Sequence, residues 1–330
     1  MKGVSLILVC ACVLAGICIL SLGFGRYPVS PGTIISWLIT GGSTDGNVPL
    51  IMVSIRLPRM FAAVVAGGAL AISGAAYQGL FRNPMVSPDI LGVSSGAGFG
   101  AALAILLSMS QAFVQLMSFT GGISAVLIAV AVSRAIGRGH DSVLVLVLSG
   151  IVVSSLFGAL ISMLKYVADP LDKLPAITYW LMGSLADIRI RELRTVLFMV
   201  AAGAVPLMLV SWRLNVLSFG EEEARSLGLH TGIMRAVVIV CATMVTASVI
   251  SLCGIIGWVG LVVPHISRFI AGPNHRMLLP VSFLIGSAFM LAVDTVARSA
   301  VSVEIPIGII TAVAGAPFFI WVMKKSSIRS

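Results

Sequence analysis

Long apolar runs dominate the chain and recur at intervals that suit a series of membrane-crossing helices. A helix needs about 20 mostly apolar residues to cross the hydrocarbon core of a bilayer. The pattern predicts ten spans, an even number that places both termini on one side of the membrane, and Pro264 is expected to break the eighth. The ten are residues 4–24, 57–81, 92–108, 113–133, 143–164, 193–212, 233–253, 256–271, 278–297 and 307–323. The sequence therefore predicts an all-α polytopic membrane protein with a single transmembrane domain over residues 1–330.

One long polar interruption, residues 213–231, divides the apolar runs of the second half. Its three consecutive acidic residues, 221–223, suit the positive end of a helix dipole, and Gly228 suits a helix end. Apolar residues recur at roughly helical spacing and predict a short amphipathic helix at the membrane surface. These residues are Leu217, Phe219, Ala224, Leu227 and Leu229. Such a helix either packs on its own membrane domain or is contacted by a partner, and the pattern alone favours neither.

Two further stretches between the spans, residues 33–40 and 174–185, predict short helices at the outer surface. The second span and its flanks, residues 56–82, form a run longer than one crossing requires. That run must therefore tilt or project beyond the bilayer.

Small residues recur at four-residue spacing in two places, and such stripes let neighbouring helices approach closely. Pro84 and Pro88 precede the second stripe and prevent a regular helix there. The alternative for that region is an irregular, re-entrant segment that lines a cavity. The two stripes are Ala71, Ala75 and Gly79, followed by Gly92, Gly96 and Gly100.

Composition excludes a soluble protein, because 58% of the 330 residues are hydrophobic and only 10% are charged. Soluble domains average about 25% charged residues. The net charge of +9 indicates basic loops and contact with anionic lipid, and no nucleic-acid partner is expected. The basic loop 134–140 and the basic C-terminal residues 324–329 predict that both termini and residues 213–231 face the cytoplasm. The first apolar run is too long for a signal peptide, and the five cysteines lie in apolar runs without metal-binding or disulfide spacing.

The sequence lacks the GxxxxGK[ST] phosphate loop and the HExxH and GxSxG motifs, so we expect neither ATP hydrolysis nor enzymatic catalysis by this chain. Span interiors are almost free of charge. A proton-coupled secondary carrier remains an alternative, with Asp294, Glu304 or His265 as its proton carrier. His265 shares a helix face with Arg268, and Asp294 can pair with Arg298 four residues later. If no such carrier operates, the energy for transport must come from another chain.

Six blocks in order give the chain a strong family resemblance. They are RLPR (56–59), GGALAISGAAYQGLFRNPMVSPDILGVSSGAG (67–98), YWLMGSL (179–185), LSFGEEEARSLGL (217–229), GWVGLVVPHISRFIAGPNHR (257–276) and EIPIGIITAVAGAPFFIWVMKK (304–325). The chain resembles the permease subunits of the vitamin B12 and iron–siderophore importers, the type II ABC importer family. The resemblance implies ten helices per subunit, a homodimer with the pathway at its interface, and two ATP-binding cassette subunits on the cytoplasmic side. It also implies a substrate-binding protein that is external or periplasmic.

The resemblance further implies that ATP and Mg²⁺ are bound by the partner subunits and that this chain carries no cofactor or metal. The localisation that follows is the cytoplasmic (inner) membrane of a bacterium or archaeon. The cargo implied is a metal chelate of the iron–siderophore, haem or cobalamin class, with a molybdate-type oxyanion as the alternative. A structural membrane scaffold is a further, more distant alternative.

The resemblance assigns three groups of site residues. Residues 213–231, which we call the coupling segment, would consist of two short helices seated in a cleft of the ATPase, and Glu222, Ala224 and Gly228 fit the pattern E-x-A-x3-G. The coupling residues are Leu217, Phe219, Gly220, Glu221, Glu222, Glu223, Ala224, Arg225, Leu227 and Gly228. Docking of the binding protein is assigned to Arg56, Arg59 and Arg298, with anchoring at the membrane interface as the alternative for the first two. The cytoplasmic gate before the fifth span is assigned to His140, Asp141 and Ser142.

Overall fold

A computed structural model describes residues 2–25, 29–40, 47–137, 142–301 and 303–327. Within these ranges every regular element is a helix. The α-helices are α1 (Lys2–Gly23), α2 (Pro31–Thr40), α3 (Asn47–Ile51), α4 (Leu57–Leu80), α5 (Val93–Leu106), α6 (Gln111–Ile136), α7 (Ser142–Val167), α8 (Lys173–Met182), α9 (Ile190–Leu209), α10 (Ser211–Leu217), α11 (Glu221–Ser226), α12 (Thr231–Cys253), α13 (Val259–Ala271), α14 (His275–Ser299) and α15 (Ile307–Ser327). A π-helical turn, Met52–Arg56, joins α3 to α4, and a 3₁₀ turn, Pro88–Leu91, precedes α5.

Ten of these helices coincide with the ten predicted spans, which confirms the prediction of an all-α polytopic membrane protein. Among the described residues, seven helical stretches are long and apolar enough to cross a bilayer, including a continuous run Val48–Leu80 that contains α4. Three shorter apolar helices, Val93–Leu106, Val259–Ala271 and Ile307–Ile320, complete the ten. The short helices predicted at residues 33–40 and 174–185 are α2 and α8.

The prediction for the eighth span was wrong in one detail. Pro264 lies inside α13 and does not break it. The break falls before α13, where Gly254 and Trp258 have positive φ angles of 72° and 69°. Proline removes one backbone donor, but helices packed among others in a membrane tolerate this loss.

Helix α4 is the centre of the bundle, since it is buried along nearly its whole length and packs against α12, α13 and α14. Its closest approaches occur at glycines. A Cβ atom on Gly74 would lie 1.8 Å from the carbonyl oxygen of Gly260 in α13, and one on Gly67 would lie 2.1 Å from that of Gly286 in α14. These backbone contacts require residues without side chains.

The stripe predicted on α4 lies in the same packed region. Ala71 and Ala75 are fully buried, and a Cβ atom on Gly79 would lie 2.4 Å from Nε2 of His275. Of the two glycines that make the tightest backbone contacts of α4, Gly67 lies four residues before Ala71 and extends the stripe, whereas Gly74 falls outside the four-residue pattern. The spacing in the sequence therefore locates the surface that meets α14, and the crossing of α13 adds the contact at Gly74.

The second stripe brings α5 against α6. A Cβ atom on Gly96 would lie 2.4 Å from the carbonyl oxygen of Gly121, and one on Gly100 would lie 1.9 Å from that of Met117. Gly92 differs from these two, because it precedes α5 in a left-handed conformation with φ of 84°. Its position ends the 3₁₀ turn and lets the chain enter α5 beside Ser154 of α7.

The substitution Gly74→Ala is expected to destabilise the protein by about 1–3 kcal/mol, because the added methyl group meets backbone that cannot move aside. Thermal unfolding of the purified protein in detergent measures this effect. Gly158→Ala in α7 is the matched control, since a Cβ atom there meets no atom within 4 Å. Equal unfolding temperatures for the two variants would contradict the predicted contact.

Candidate functional site

The coupling segment folds as two short helices, in agreement with the family resemblance. Helix α10 ends at Leu217, a turn follows, and α11 begins with the three acidic residues 221–223. Gly220 in the turn has φ of 128°, and Gly228 after α11 has φ of 79°. Both angles lie in the region that favours glycine, so these two residues set the path of the chain on either side of α11.

Apolar residues of the coupling segment face two directions, which differs from the single apolar face expected from their spacing. Leu217 and Ala224 are buried against the membrane domain, with 6% and 0% of their surfaces exposed. Phe219 and Leu227 point away from it, with 73% and 69% exposed. The turn at Gly220 reorients α11 relative to α10, so a helical repeat does not continue through it. Both exposed side chains lie on the outside of the folded chain, where a partner can contact them.

The side chain of Asn215 joins the coupling segment to the start of α14 by hydrogen bonds. The side-chain oxygen of Asn215 accepts hydrogen bonds from the backbone N–H of His275 and from its ring Nδ1, both at 2.8 Å. The Asn215 amide nitrogen donates to Oδ1 of Asn274, also at 2.8 Å. Because α14 begins at His275, the clamp joins α10 directly to the first turn of a membrane-crossing helix.

An ion pair of Glu221 joins α11 to α12. It forms an ion pair with Arg235 in the first turns of α12 and lies 3.5 Å from Arg225, four residues later in its own helix. Arg225 also donates from Nε to Oγ1 of Thr231 at 3.2 Å. The neighbouring Glu222 and Glu223 are exposed. Of the three acidic residues, Glu221 therefore holds the segment in place while the other two face water.

At the opposite end of the bundle, the three arginines assigned to docking lie close together. Arg59 donates from Nε to Asp294 at 2.8 Å and from a terminal nitrogen to Glu304 at 2.9 Å. Arg298 contacts the same aspartate at 3.4 Å and donates to the carbonyl oxygens of Ser21 and Phe24 at the end of α1. Arg56 donates to the carbonyl oxygen of Leu22. We call these residues the arginine cluster.

Each arginine of the cluster is less than a tenth exposed, because its guanidinium group faces partners inside the chain. The docking assignment rests on charges that face a partner, so it remains a prediction that the single chain does not test. Exposed arginines do lie nearby at the start of α9, namely Arg189, Arg191 and Arg194. Of these, Arg189 lines a polar groove of about 410 Å³. Its other lining residues are Ser54, Ile55, Gln111, Ala186, Asp187, Ile188 and Glu192.

Of the three residues assigned to the gate, only Ser142 lies among the described residues. His140 and Asp141 lie outside the described residues, and Ser142 is the first residue of α7. The assignment of a gate to these three residues therefore stays a prediction.

The candidates for proton coupling are engaged in other contacts. Asp294 lies between Arg59 and Arg298, and Glu304 contacts Arg59. The predicted pairing of Asp294 with Arg298 is thereby confirmed. The ring of His265 packs edge-on against Phe269, with ring centres 5.0 Å apart. The two carboxylates are thus held as ion pairs at one end of the bundle.

Sequence reasoning missed Asn215 and His275, although Asn215 lies in the coupling segment and His275 lies in the block 257–276. A single asparagine in a polar segment carries no signal of its own. The contact joins residues 60 positions apart, so only the three-dimensional structure reveals it.

A family profile, curated relatives and a solved structure all match this chain to transport permeases. The profile of the FecCD transport family matches residues 12–325. The molybdate import system permease protein MolB of Haemophilus influenzae is 40% identical over 306 residues, covering 91% of this chain and 90% of the relative. The cobalamin import system permease protein BtuC of Halobacterium salinarum is 43% identical over 282 residues, covering 85% and 75%. A solved structure assigned to the metal-chelate type of ABC transporter, in an inward-facing conformation, superimposes with a TM-score of 0.88 at 37% identity, covering 97% and 99%.

Proposed function

This chain belongs to the FecCD transport family of ABC importer permeases, and from that membership we infer that it translocates a metal chelate delivered by a substrate-binding protein. The chain is the membrane-spanning subunit of an ATP-driven importer and is not itself an enzyme. Its family implies ATPase and substrate-binding partners. Family membership also favours the ATP-driven mechanism over the alternatives of a proton-coupled secondary carrier and a structural scaffold.

One observation in the chain carries the proposed mechanism. The coupling segment presents two large apolar side chains, Phe219 and Leu227, to the outside while its other contacts fix it to α12 and α14. We propose that the ATPase binds this surface. ATP binding would then move the coupling segment and shift the permease between outward-facing and inward-facing states, provided that the ATPase contacts differ between the two.

The proposed cargo is a metal chelate of the iron–siderophore, haem or cobalamin class. The cobalamin permease among the relatives and the metal-chelate type of the solved neighbour support this class. The molybdate permease supports an oxyanion as the second candidate. Calorimetry with the cognate binding protein, titrated with a ferric siderophore, haemin, cobalamin and molybdate, separates these cargoes.

The proposed assembly follows the family resemblance. Two copies of this chain would form the pathway at their interface in a bacterial or archaeal inner membrane. Both termini and the coupling segment would face the cytoplasm, where two ATPase subunits bind. The binding protein would dock at the opposite face, at or beside Arg56, Arg59 and Arg298. The exposed arginines at the start of α9 suit a surface that steers association by charge.

Transport by reconstituted proteoliposomes tests the proposed function. Uptake of the chelate is expected only when the ATPase subunits, internal ATP and the loaded binding protein are all present. Liposomes with a catalytically inactive ATPase are the matched control. Uptake that persists without the ATPase under an imposed pH gradient would overturn the ATP-driven mechanism in favour of the secondary carrier.

A further inference from the structure

A deep groove of about 650 Å³ runs along the outer surface of the bundle between α6, α7 and α12. Its walls are almost wholly apolar, with Phe119, Ile123 and Val130 from α6 and Ile239 and Met244 from α12. Two further lining residues, Leu127 and Val240, are 61% and 60% exposed. On a membrane-crossing bundle, an exposed apolar groove of this kind is filled either by lipid or by another protein chain.

Charge is confined to one end of the groove. Arg134 lies in the last turn of α6 and Arg235 in the first turns of α12, and both line the groove near Gly137 and Gly232. This end adjoins the coupling segment, because α12 begins directly after it. Basic pockets between membrane helices at this depth suit the phosphate of an anionic headgroup.

The length of the groove matches one leaflet of a bilayer. From Gly232 to Met244, α12 rises about 18 Å at about 1.5 Å per residue, whereas half of the hydrocarbon core measures about 15 Å. An acyl chain that starts from a headgroup at Arg134 can therefore lie along the groove to its apolar end.

The two ends of the groove match the two parts of an anionic lipid. Its headgroup offers a negative charge to Arg134 and Arg235, and its acyl chain matches the apolar walls beyond them.

We propose that the groove between α6, α7 and α12 binds an anionic phospholipid, with its phosphate at Arg134 and Arg235 and an acyl chain along the apolar walls. Arg235 also pairs with Glu221 of the coupling segment. The lipid phosphate and the coupling segment therefore share one arginine, which places the lipid in direct contact with the machinery proposed for ATPase binding.

Two substitutions probe the headgroup and the chain separately. Arg134→Gln removes a charge at the mouth and leaves the pair between Arg235 and Glu221 in place. Gly232→Leu fills the mouth, and a Cβ atom at this position meets nothing within 4 Å, so the helix accommodates it. Arg276→Gln is the matched control, since Arg276 is exposed at the same end of the bundle, in the first turn of α14, and does not line the groove.

Native mass spectrometry of the delipidated full-length permease measures its affinity for phosphatidylglycerol and phosphatidylcholine. Phosphatidylglycerol is expected to bind more tightly to the wild type. Arg134→Gln is expected to weaken its binding about fivefold, equivalent to about 1 kcal/mol, with phosphatidylcholine unaffected. Gly232→Leu is expected to weaken both lipids, and Arg276→Gln neither.

Equal affinity of the wild type for the two lipids, or equal effects of Arg134→Gln and Arg276→Gln, would overturn the proposal. A change in oligomeric state in Gly232→Leu with unchanged lipid affinity would assign the groove to a second copy and would overturn it as well. Unfolding temperatures of the variants show whether a loss of affinity reflects loss of the fold. If Gly232→Leu unfolds, the comparison of Arg134→Gln with Arg276→Gln alone tests whether the groove binds an anionic phospholipid.

Discussion

The substitution Phe219→Asp is expected to abolish ATP-driven uptake while the permease itself remains folded. Phe219 is 73% exposed in the single chain, so a charge there costs little stability. In the complex the same charge would be buried in the apolar contact with the ATPase. Loss of a central aromatic anchor costs about 2 kcal/mol or more, so we expect the affinity for the ATPase to fall about 30-fold or more. Leu227→Asp is expected to act in the same direction.

Co-purification of the ATPase with the tagged permease measures this effect directly, and proteoliposome uptake measures its consequence. Val303→Asp is the matched control, because Val303 is an equally exposed apolar residue, at 76%, in the loop between α14 and α15 at the other end of the bundle. Wild-type amounts of ATPase bound to Phe219→Asp would refute the proposed contact. Ala224→Asp is expected to fail differently, by unfolding, because Ala224 is fully buried.

The substitution Arg59→Met is expected to destabilise the permease by about 3–5 kcal/mol, because it leaves a buried carboxylate without its main partner. Asp294 is 1% exposed and its shortest contact with a cation is the 2.8 Å bond from Arg59. Glu304 loses its partner in the same substitution. Thermal unfolding in detergent measures the loss. Arg191→Met at the exposed start of α9 is the matched control and is expected to unfold like the wild type.

A second substitution shows whether the stability lost in Arg59→Met comes from the unpaired charge on Asp294 or from the lost contacts of the arginine side chain. Asp294→Asn in the Arg59→Met background removes the charge that Arg59 neutralises, so we expect it to restore part of the lost stability. The affinity of the same variants for the binding protein separates the role of Arg59 in stability from its predicted role in docking. Equal unfolding temperatures for Arg59→Met and Arg191→Met would contradict the ion-pair assignment.

The number and order of the membrane helices could be predicted from the sequence, because each crossing requires a long apolar run. The two helices of the coupling segment followed from the family resemblance, and the limits of α11 followed from the acidic residues 221–223 and from Gly228. The limits of α10, which begins at Ser211, were not predicted. The directions in which Phe219 and Ala224 face could not be predicted. Those directions depend on the turn at Gly220, whose φ of 128° interrupts the helical repeat.

The partners of Arg59 could not be predicted either. An arginine before a membrane helix can face a docking protein, a lipid headgroup or an internal acid, and the motif RLPR is the same in each case. Asp294 lies 235 positions later in the chain. The prediction paired Asp294 with Arg298 from their four-residue spacing, whereas the contact between α4 and α14 depends on how the bundle is assembled.

Because Asn215 is hydrogen-bonded to the start of α14, this helix links the coupling segment to the opposite end of the bundle. One end of this helix, at His275, holds α10, and its last turns carry Asp294 and Arg298 of the arginine cluster. Its 25 residues span about 37 Å at about 1.5 Å per residue, which is enough to join the two membrane faces. The coupling segment and the arginine cluster are therefore joined by one continuous helix, with no loop between them.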